Sequence, residues 1–264
     1  MSKSSIKILA FGDVVGKPGR KSLLDHVSVL RKKYGADLVI ANGENSAGGS
    51  GIDEKCATEI HNAGVDVITL GDHTWQKKEI YSYLEDEKNK CIRPANYPEG
   101  APGKGYTILK VKDKNVAVIN LIGRVFIQQF VDCPFQTVDR LLEGAVANAD
   151  IIICDMHAEA TSEKLAMAHY LDGRVSFVFG THTHIQTADE QILPNGTGYI
   201  TDLGMCGPKN SVLGLSTQVS IDRFITGMKH SYELGEGKGT VSGIFAEIDT
   251  DSKKTIKVER IAII

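Results

Sequence analysis

The sequence predicts an α/β fold, and three observations predict it. Short apolar runs alternate with helical-period stretches from Ile6 to Asp86, the pattern of βαβ units that build a parallel sheet. The second half adds hairpin signals to that pattern. Histidines and carboxylates then recur just after the apolar runs, at the carboxyl ends of strands, where ligands gather in such sheets. This order suits two sheets packed face to face between helices, and it suits one mixed sheet equally. No internal repeat, low-complexity segment or composition shift marks a linker, so one domain over residues 1–264 is expected.

The elements follow in order. Ile6 to Phe11 reads as a buried strand closed by Gly12-Asp13. From about Gly19 to Tyr34, Leu23, Leu24, Val27 and Leu30 share one helical stripe. Arg31-Lys32-Lys33 is the cationic last turn of that helix, favourable to its dipole. Leu38 to Ala41 is the next strand, ending in Asn42-Gly43-Glu44-Asn45 and a glycine-rich loop. Asp53 caps a helix reaching about Ala63. Val67 to Leu70 leads to Gly71-Asp72-His73, and a polar helix covers about Lys77 to Asp86. Pro94 to Gly105 is a loop. Tyr106 to Val111 and Asn115 to Leu121 form a hairpin around Lys112-Asp113-Lys114, and Gly123 to Pro134 is irregular. Phe135 to Asn148 is helical. Ile151 to Cys154 runs into Asp155-Met156-His157. Ser162 to Tyr170 fits a short helix that Ser162 caps. Val175 to Phe179 precedes Gly180-Thr181-His182-Thr183-His184. Asn195-Gly196 is a hairpin turn. A helix covers Thr217 to Thr226, and strands Val241 to Ile248 and Thr255 to Ile263 close the chain.

Of the 264 residues, 42% are hydrophobic and 24% charged, with a formal net charge of −3. A core can form without disulfides or structural metals. No global positive field draws nucleic acid, and the lack of a basic stripe argues against duplex substrates. The five cysteines (Cys56, Cys91, Cys133, Cys154 and Cys206) are odd in number and dispersed, as expected of reduced thiols in a cytoplasmic protein. The residues before the first strand lack the long apolar segment of a signal peptide, and no segment approaches the roughly 20 apolar residues of a membrane span, so a cytoplasmic protein is expected.

The chemistry lies in the strand-end residues. His182 and His184 are two apart and point the same way if strand geometry continues. Alone, a His-x-His pair is weak evidence. Asp13 alone reads as a helix cap, Glu44-Asn45 equally as turn chemistry or as ligands, and a lone His157 as a hydrogen-bonded structural residue. Packing and capping do not ask for such residues at five strand ends together. A two-metal phosphoesterase does, because two ions roughly 3.5–4 Å apart clamp the attacking and leaving oxygens of a phosphoryl displacement. Glu44 is the candidate bridge. Asp13 and one histidine complete one metal; Asp72, His157 and another histidine complete the second; Asn45 adds a neutral oxygen. Imidazole with carboxylate suits Mn, Fe or Zn better than Mg or Ca. His73, facing away from the metal of Asp72, is left as a general acid. His26, His61, His169 and His230 sit in helical or surface contexts and are read as structural.

These motifs resemble the calcineurin-like metallophosphoesterases, and Glu44-Asn45 where Asp is usual resembles the YmdB-like bacterial phosphodiesterases. The likeness spans essentially the whole chain. It includes Gly12-Asp13-Val14-Val15-Gly16, Asn42-Gly43-Glu44-Asn45, Gly71-Asp72-His73-Thr74-Trp75, Gly123-Arg124-Val125-Phe126, Asp155-Met156-His157-Ala158-Glu159 and Gly180-Thr181-His182-Thr183-His184. The resemblance implies a four-layer α/β/β/α sandwich with two mixed sheets flanked by helices. It also implies two Fe or Mn ions, a homo-oligomer (dimer or tetramer), and hydrolysis of small phosphodiesters, notably 2′,3′-cyclic nucleotides, by a metal-bridging hydroxide. Asp13, Glu44, Asn45, His157, His182 and His184 become metal ligands and His73 the catalytic acid. The family's G-N-H is Gly71-Asp72-His73 here: Asp72 still offers an oxygen but adds negative charge beside an anionic substrate. Arg124 is a candidate phosphate contact and Phe126 a candidate base contact; a surface Arg and a core Phe are the bland alternatives. Competing functions are a phosphomonoesterase or RNA-processing nuclease at the same site, or a metal-bound regulatory protein with weak catalysis.

Overall fold

A computed structural model of the chain describes residues 4–264. Helices flank a pair of six-stranded sheets, the four-layer arrangement expected of the resemblance. The strands are β1 (Ser5–Phe11), β2 (Asp13–Val14), β3 (Leu38–Asn42), β4 (Val67–Thr69), β5 (Cys91–Ile92), β6 (Tyr106–Val111), β7 (Lys114–Ile122) and β8 (Ile151–His157). There follow β9 (Phe177–Thr181), β10 (Gln191–Ile192), β11 (Gly198–Ile200), β12 (Met205–Cys206), β13 (Pro208–Leu215), β14 (Leu234–Gly239), β15 (Val241–Asp249) and β16 (Thr255–Ile263). The helices are α1 (Gly16–Tyr34), α2 (Glu54–Asn62), α3 (Ile80–Glu85), α4 (Pro134–Glu143), α5 (Thr161–Leu171) and α6 (Thr217–Thr226).

The first sheet has the order β16-β15-β1-β3-β4-β5, and the second β10-β11-β9-β8-β7-β6. In the first, β1, β3, β4 and β5 run parallel, and the closing hairpin joins through β15 antiparallel to β1. In the second, β7, β8, β9 and β11 run parallel between antiparallel edges. Period-two alternation along each strand separates the layers. Ile8, Ala10, Ile40, Val118, Ile153 and Phe179 fill the space between sheets. Leu9, Phe11, Val39 and Ala41 face Leu23 and Val27 of α1 and Ala57 and Ile60 of α2. Ile119, Cys154 and Val178 face Val138 of α4 and Met167 of α5.

Several boundaries differ from the sequence expectation. Helix α1 starts at Gly16, before the periodic stripe, because Pro18 is tolerated in a first turn whose N–H groups need no intrahelical partner. Helix α3 starts at Ile80, and α4 stops at Glu143, where Gly144 breaks it. Ser162 does not cap α5; it lies inside the first turn, and the cap position is Ala160, which makes no side-chain bond. Strands β2, β5, β12, β13 and β14 go beyond the sequence expectation: three are two-residue pairings, and the other two are rich in polar residues and glycine. Among the described residues, no helix is long and apolar enough to cross a membrane.

Candidate metal centre

The candidate ligands converge at the carboxyl ends of β1, β3, β4, β8 and β9. Glu44 and His157 are fully buried, and so is Asp13. His157 is the last residue of β8, and its Nε2 lies 3.0 Å from Asp72 Oδ1 and 3.3 Å from Glu44 Oε1. His182 Nδ1 lies 3.2 Å from Asp72 Oδ1 and 3.1 Å from His157 Nε2. Glu44, Asp72, His157 and His182 thus form a group able to hold a metal ion, their donor atoms all within 4.8 Å of one another. Beside it, His184 Nε2 is 3.5 Å from Asp13 Oδ1 and 3.1 Å from Asn45 Nδ2. Asn45 Nδ2 also donates to Glu44 Oε1 at 3.2 Å, so Glu44 adjoins both halves.

The donor set fits a metal ion on two observations. Asp13 Oδ1 is buried without a hydrogen-bond partner. A Cβ on Gly71 would lie 2.2 Å from His157 Nε2 and 2.4 Å from Glu44 Oε2, so only glycine lets the backbone approach the cluster this closely. Charge tells the same story. Burial alone would raise Asp13, yet His184 and His157 hold its carboxyl well below the usual range. Burial also opposes ionisation of Glu44 and Asp72, and the surrounding histidines hold both down. In return, and against burial, Glu44 and Asp72 push His157 well above its ordinary value, and Asp13 pushes His184 up to about 9.

His73 sits at the rim, its side chain 33% exposed, with Nε2 3.6 Å from Asp72 Oδ2. Its Nδ1 contacts Asn45 Oδ1 at 2.8 Å, and its backbone N–H donates to Glu44 Oε2 at 2.9 Å. Burial opposes a charge on the ring, but Glu44 and Asp72 raise its pKa. As placed, Asn45 turns Nδ2 toward His184 and Oδ1 toward His73. Amide ends are interchangeable by a flip, which would aim the oxygen at the His184 side.

One expectation changes, and two of the bland alternatives fall away. His182 and His184 do not continue strand geometry: β9 ends at Thr181, and both histidines are left-handed, with φ of 99° and 64°. They reach the cluster through different nitrogens, Nδ1 and Nε2, because the turn points the rings differently. Asp13 caps nothing; the cap position of α1 is Val15. Phe126 is no core residue: it is 85% exposed at φ 63°. Arg124 is exposed too, its backbone N–H bonded to Glu163, and Gln129 of the same segment donates to the Asp72 carbonyl at 2.8 Å. The structural reading of His26 and His61 agrees with their Nδ1 contacts to backbone carbonyls of Ser22 and Val65.

Sequence reasoning passed over the residues that hold the outer nitrogens. His182 Nε2 meets Glu159 Oε2 at 3.1 Å, and His184 Nδ1 donates to the Leu213 carbonyl at 2.9 Å. His157 Nδ1 meets Thr181 Oγ1 at 2.8 Å. Thr181 in turn bonds Asp155, a fully buried carboxyl that burial pushes up to about 7. A buried ion pair, Lys164 to Asp202 at 2.6 Å, supports the loop between the two histidines, since Asp202 Oδ2 also accepts from the Thr183 hydroxyl at 2.7 Å. The one available signal was a polar residue two before a candidate ligand on an apolar strand, as Asp155 stands to His157.

The family model described as YmdB-like protein matches residues 9–261. A 2′,3′-cyclic-nucleotide 2′-phosphodiesterase of Bacillus subtilis is 49% identical over 98% of this chain and 97% of its own. The crystal structure of a novel phosphatase from Mycoplasma pneumoniae superposes with a TM-score of 0.92 at 37% identity, covering 99% of this chain and 94% of that one. A hypothetical protein from Thermus thermophilus gives 0.91 at 40% identity, covering 98% and 99%.

Proposed function

The chain belongs to the YmdB-like family, and on that premise we propose that it hydrolyses phosphodiesters, 2′,3′-cyclic nucleotides foremost, at a two-metal centre. In this reading Asp13, Glu44, Asn45 and His184 hold one ion, and Glu44, Asp72, His157 and His182 the other. The observation that carries it is the convergence of Glu44, Asp72, His157 and His182 with His73 at the open side. Ions held there, Fe or Mn, would supply an activated water and neutralise charge on the phosphoryl oxygens. His73 donates a proton to the departing ribose oxygen as the ester bond to phosphorus breaks, leaving a phosphomonoester. Burial opposes a charge on His73, and the neighbouring Glu44 and Asp72 carboxylates raise its pKa, which favours the protonated form a general acid needs. Arg124 and Phe126, exposed on a segment tied to Asp72 through Gln129, receive the phosphate and the base.

We place the whole activity in one domain and in the cytoplasm, as the five unpaired cysteines favour. A homo-oligomer is favoured by the apolar residues Phe224, Ile225 and Met228, which α6 and its end leave 89%, 76% and 66% exposed.

The test is hydrolysis of bis-p-nitrophenyl phosphate and of a 2′,3′-cyclic nucleotide by metal-stripped protein with Mn or Fe restored. His73→Ala should cost about 10²–10⁴ in rate with metal occupancy unchanged; metal lost along with rate would make His73 a ligand. A phosphomonoester preference would instead favour the phosphatase reading, which the Mycoplasma relative's name keeps in view. Asp72→Asn should loosen metal binding and raise turnover. No change in either would remove the role given to its extra charge.

A further inference from the structure

We infer that Thr181, with its hydroxyl proton committed to Asp155, fixes the tautomer and orientation of the His157 ring, making both positioning residues for the metal centre. The inference rests on the reading of His157 as a ligand.

His157 and Asp155 stand two apart on β8 and so share a face, and Thr181 on β9 is the register partner of His157. Thr181 Oγ1 lies 2.8 Å from Asp155 Oδ1 and 2.8 Å from His157 Nδ1. A hydroxyl has one proton to give. The carboxylate oxygen can only accept, so that proton goes to Asp155, and a lone pair faces Nδ1. Nδ1 must therefore carry its own hydrogen. In the neutral ring this leaves the free lone pair on Nε2, the atom turned toward Glu44 Oε1 and Asp72 Oδ1. The arrangement resembles a carboxylate–histidine–metal relay with a hydroxyl inserted.

Two neighbours bear on the assignment. Asn42 Nδ2 is 3.3 Å from His157 Nδ1, but it also lies 3.3 Å from the Leu70 carbonyl and 3.4 Å from Thr181 Oγ1. Its two hydrogens have those oxygens to satisfy, and the much shorter Thr181 contact decides Nδ1. Asp155 Oδ2 accepts from Thr69 Oγ1 at 2.5 Å, and Thr69 comes from β4 of the other sheet. Asp155 is thus clamped from both sheets, which fixes the direction of its Oδ1. That oxygen accepts from Thr181 whether or not Oδ2 carries a proton. All three side chains are fully buried, so water cannot substitute.

A merely structural role, hydroxyls tying two sheets through a carboxylate, would lower stability without touching the ring's tautomer. The experiment separates the two by Co²⁺ titration of metal-stripped protein, followed by visible absorption, alongside thermal unfolding. Thr181→Val, nearly isosteric, should weaken Co²⁺ binding by about 10–100-fold. Thr181→Ser should restore it to within a few-fold. Asp155→Leu should cost as much as Thr181→Val, and the double variant no more than either alone, since both act through one hydroxyl. Should Asp155→Leu fail to fold, the Val and Ser pair decides. A folded Thr181→Val with unchanged affinity, or an equal loss in Thr181→Ser, overturns the inference. His157→Ala is the control: unchanged Co²⁺ binding there would overturn the ligand reading itself, whereas loss in His157→Ala but not in Thr181→Val overturns only the relay.

Discussion

The site has a floor and a flap, and they are built differently. The floor is Asp13, Glu44 and His157, each fully buried: His157 ends β8, Glu44 lies just beyond β3, and Asp13 follows β1 in the short β2–β12 pairing. The flap is β13, α6 and β14, joined by an antiparallel pairing with shifted register. Helix α6 buries only Ser220. Yet the flap reaches the centre, because the Leu213 carbonyl accepts from His184 Nδ1. Leu213 is left-handed at φ 54°, and Gly214 follows at φ 95°. Two sheets sharing one core therefore set the floor, while His184 depends on a carbonyl held by an unusual turn. The lesson is that ligand groups in one cluster can differ widely in how firmly the fold specifies them.

The largest expected effect tests the floor. Glu44→Ala removes the carboxylate adjoining both halves and takes away the acceptor of Asn45 Nδ2 and of the His73 N–H. Turnover should fall by about 10⁴ or more, since several kcal/mol of transition-state stabilisation go with the metal centre. Steady-state rates and metal content measure this together. Retention of both metal and rate would show that Glu44 is not the shared ligand.

The flap should fail more gently. A Cβ on Gly214 would meet Val15 Cγ1 at 2.5 Å, in a backbone region that L side chains rarely adopt. Gly214→Ala should therefore shift the Leu213 carbonyl and loosen His184. An order of about tenfold in metal affinity is expected, the lower end of what outer contacts of a ligand contribute. Binding titration is the measurement, and an unchanged affinity would detach the flap from the centre.

This contrast also explains what the sequence made legible. Apolar period and strand-end chemistry placed Asp13, Glu44, Asp72 and His157, because parallel strands put such residues at one edge whatever the loops do. The closing hairpin was legible from its alternation, but not its place beside β1, which is a long-range pairing. The flap strands were hidden because Lys209-Asn210-Ser211 and Gly235-Glu236-Gly237 carry no apolar period. The positive φ of His182 and His184 was hidden for another reason: neither residue type announces it, and tertiary contacts impose it. The link from Asp155 to Thr181 crosses strands, so no local pattern records it.

Behind the floor, Asp53 caps α2 by accepting from the Cys56 N–H at 2.7 Å. Burial disfavours its charge, but that N–H and the nearby Arg20 hold its pKa below the ordinary 3.8. Asp53→Ala should cost about 1 kcal/mol at neutral pH. A depressed folded pKa means the contribution is complete above the ordinary carboxylate value and lost as pH falls through the folded one. The difference between wild type and variant in urea unfolding should therefore shrink at acid pH. A gap independent of pH would mean that the carboxylate is not the cap.

The smallest expected effect is the sharpest statement about the flap. Phe224 is 89% exposed on α6, whereas Phe179 is fully buried between the sheets. Area removed from water is what makes an aromatic ring stabilising, so equal rings should give unequal losses. Phe179→Ala should cost about 3–5 kcal/mol. Phe224→Ser should stay within about 0.5 kcal/mol in dilute protein, the range of surface changes. Chemical denaturation at low concentration measures both. If Phe224→Ser destabilises the isolated chain as a core change does, the flap packs as part of the sandwich. The difference between floor and flap would then be one of exposure alone, and the Leu213 carbonyl would be as firmly placed as the strands beneath it.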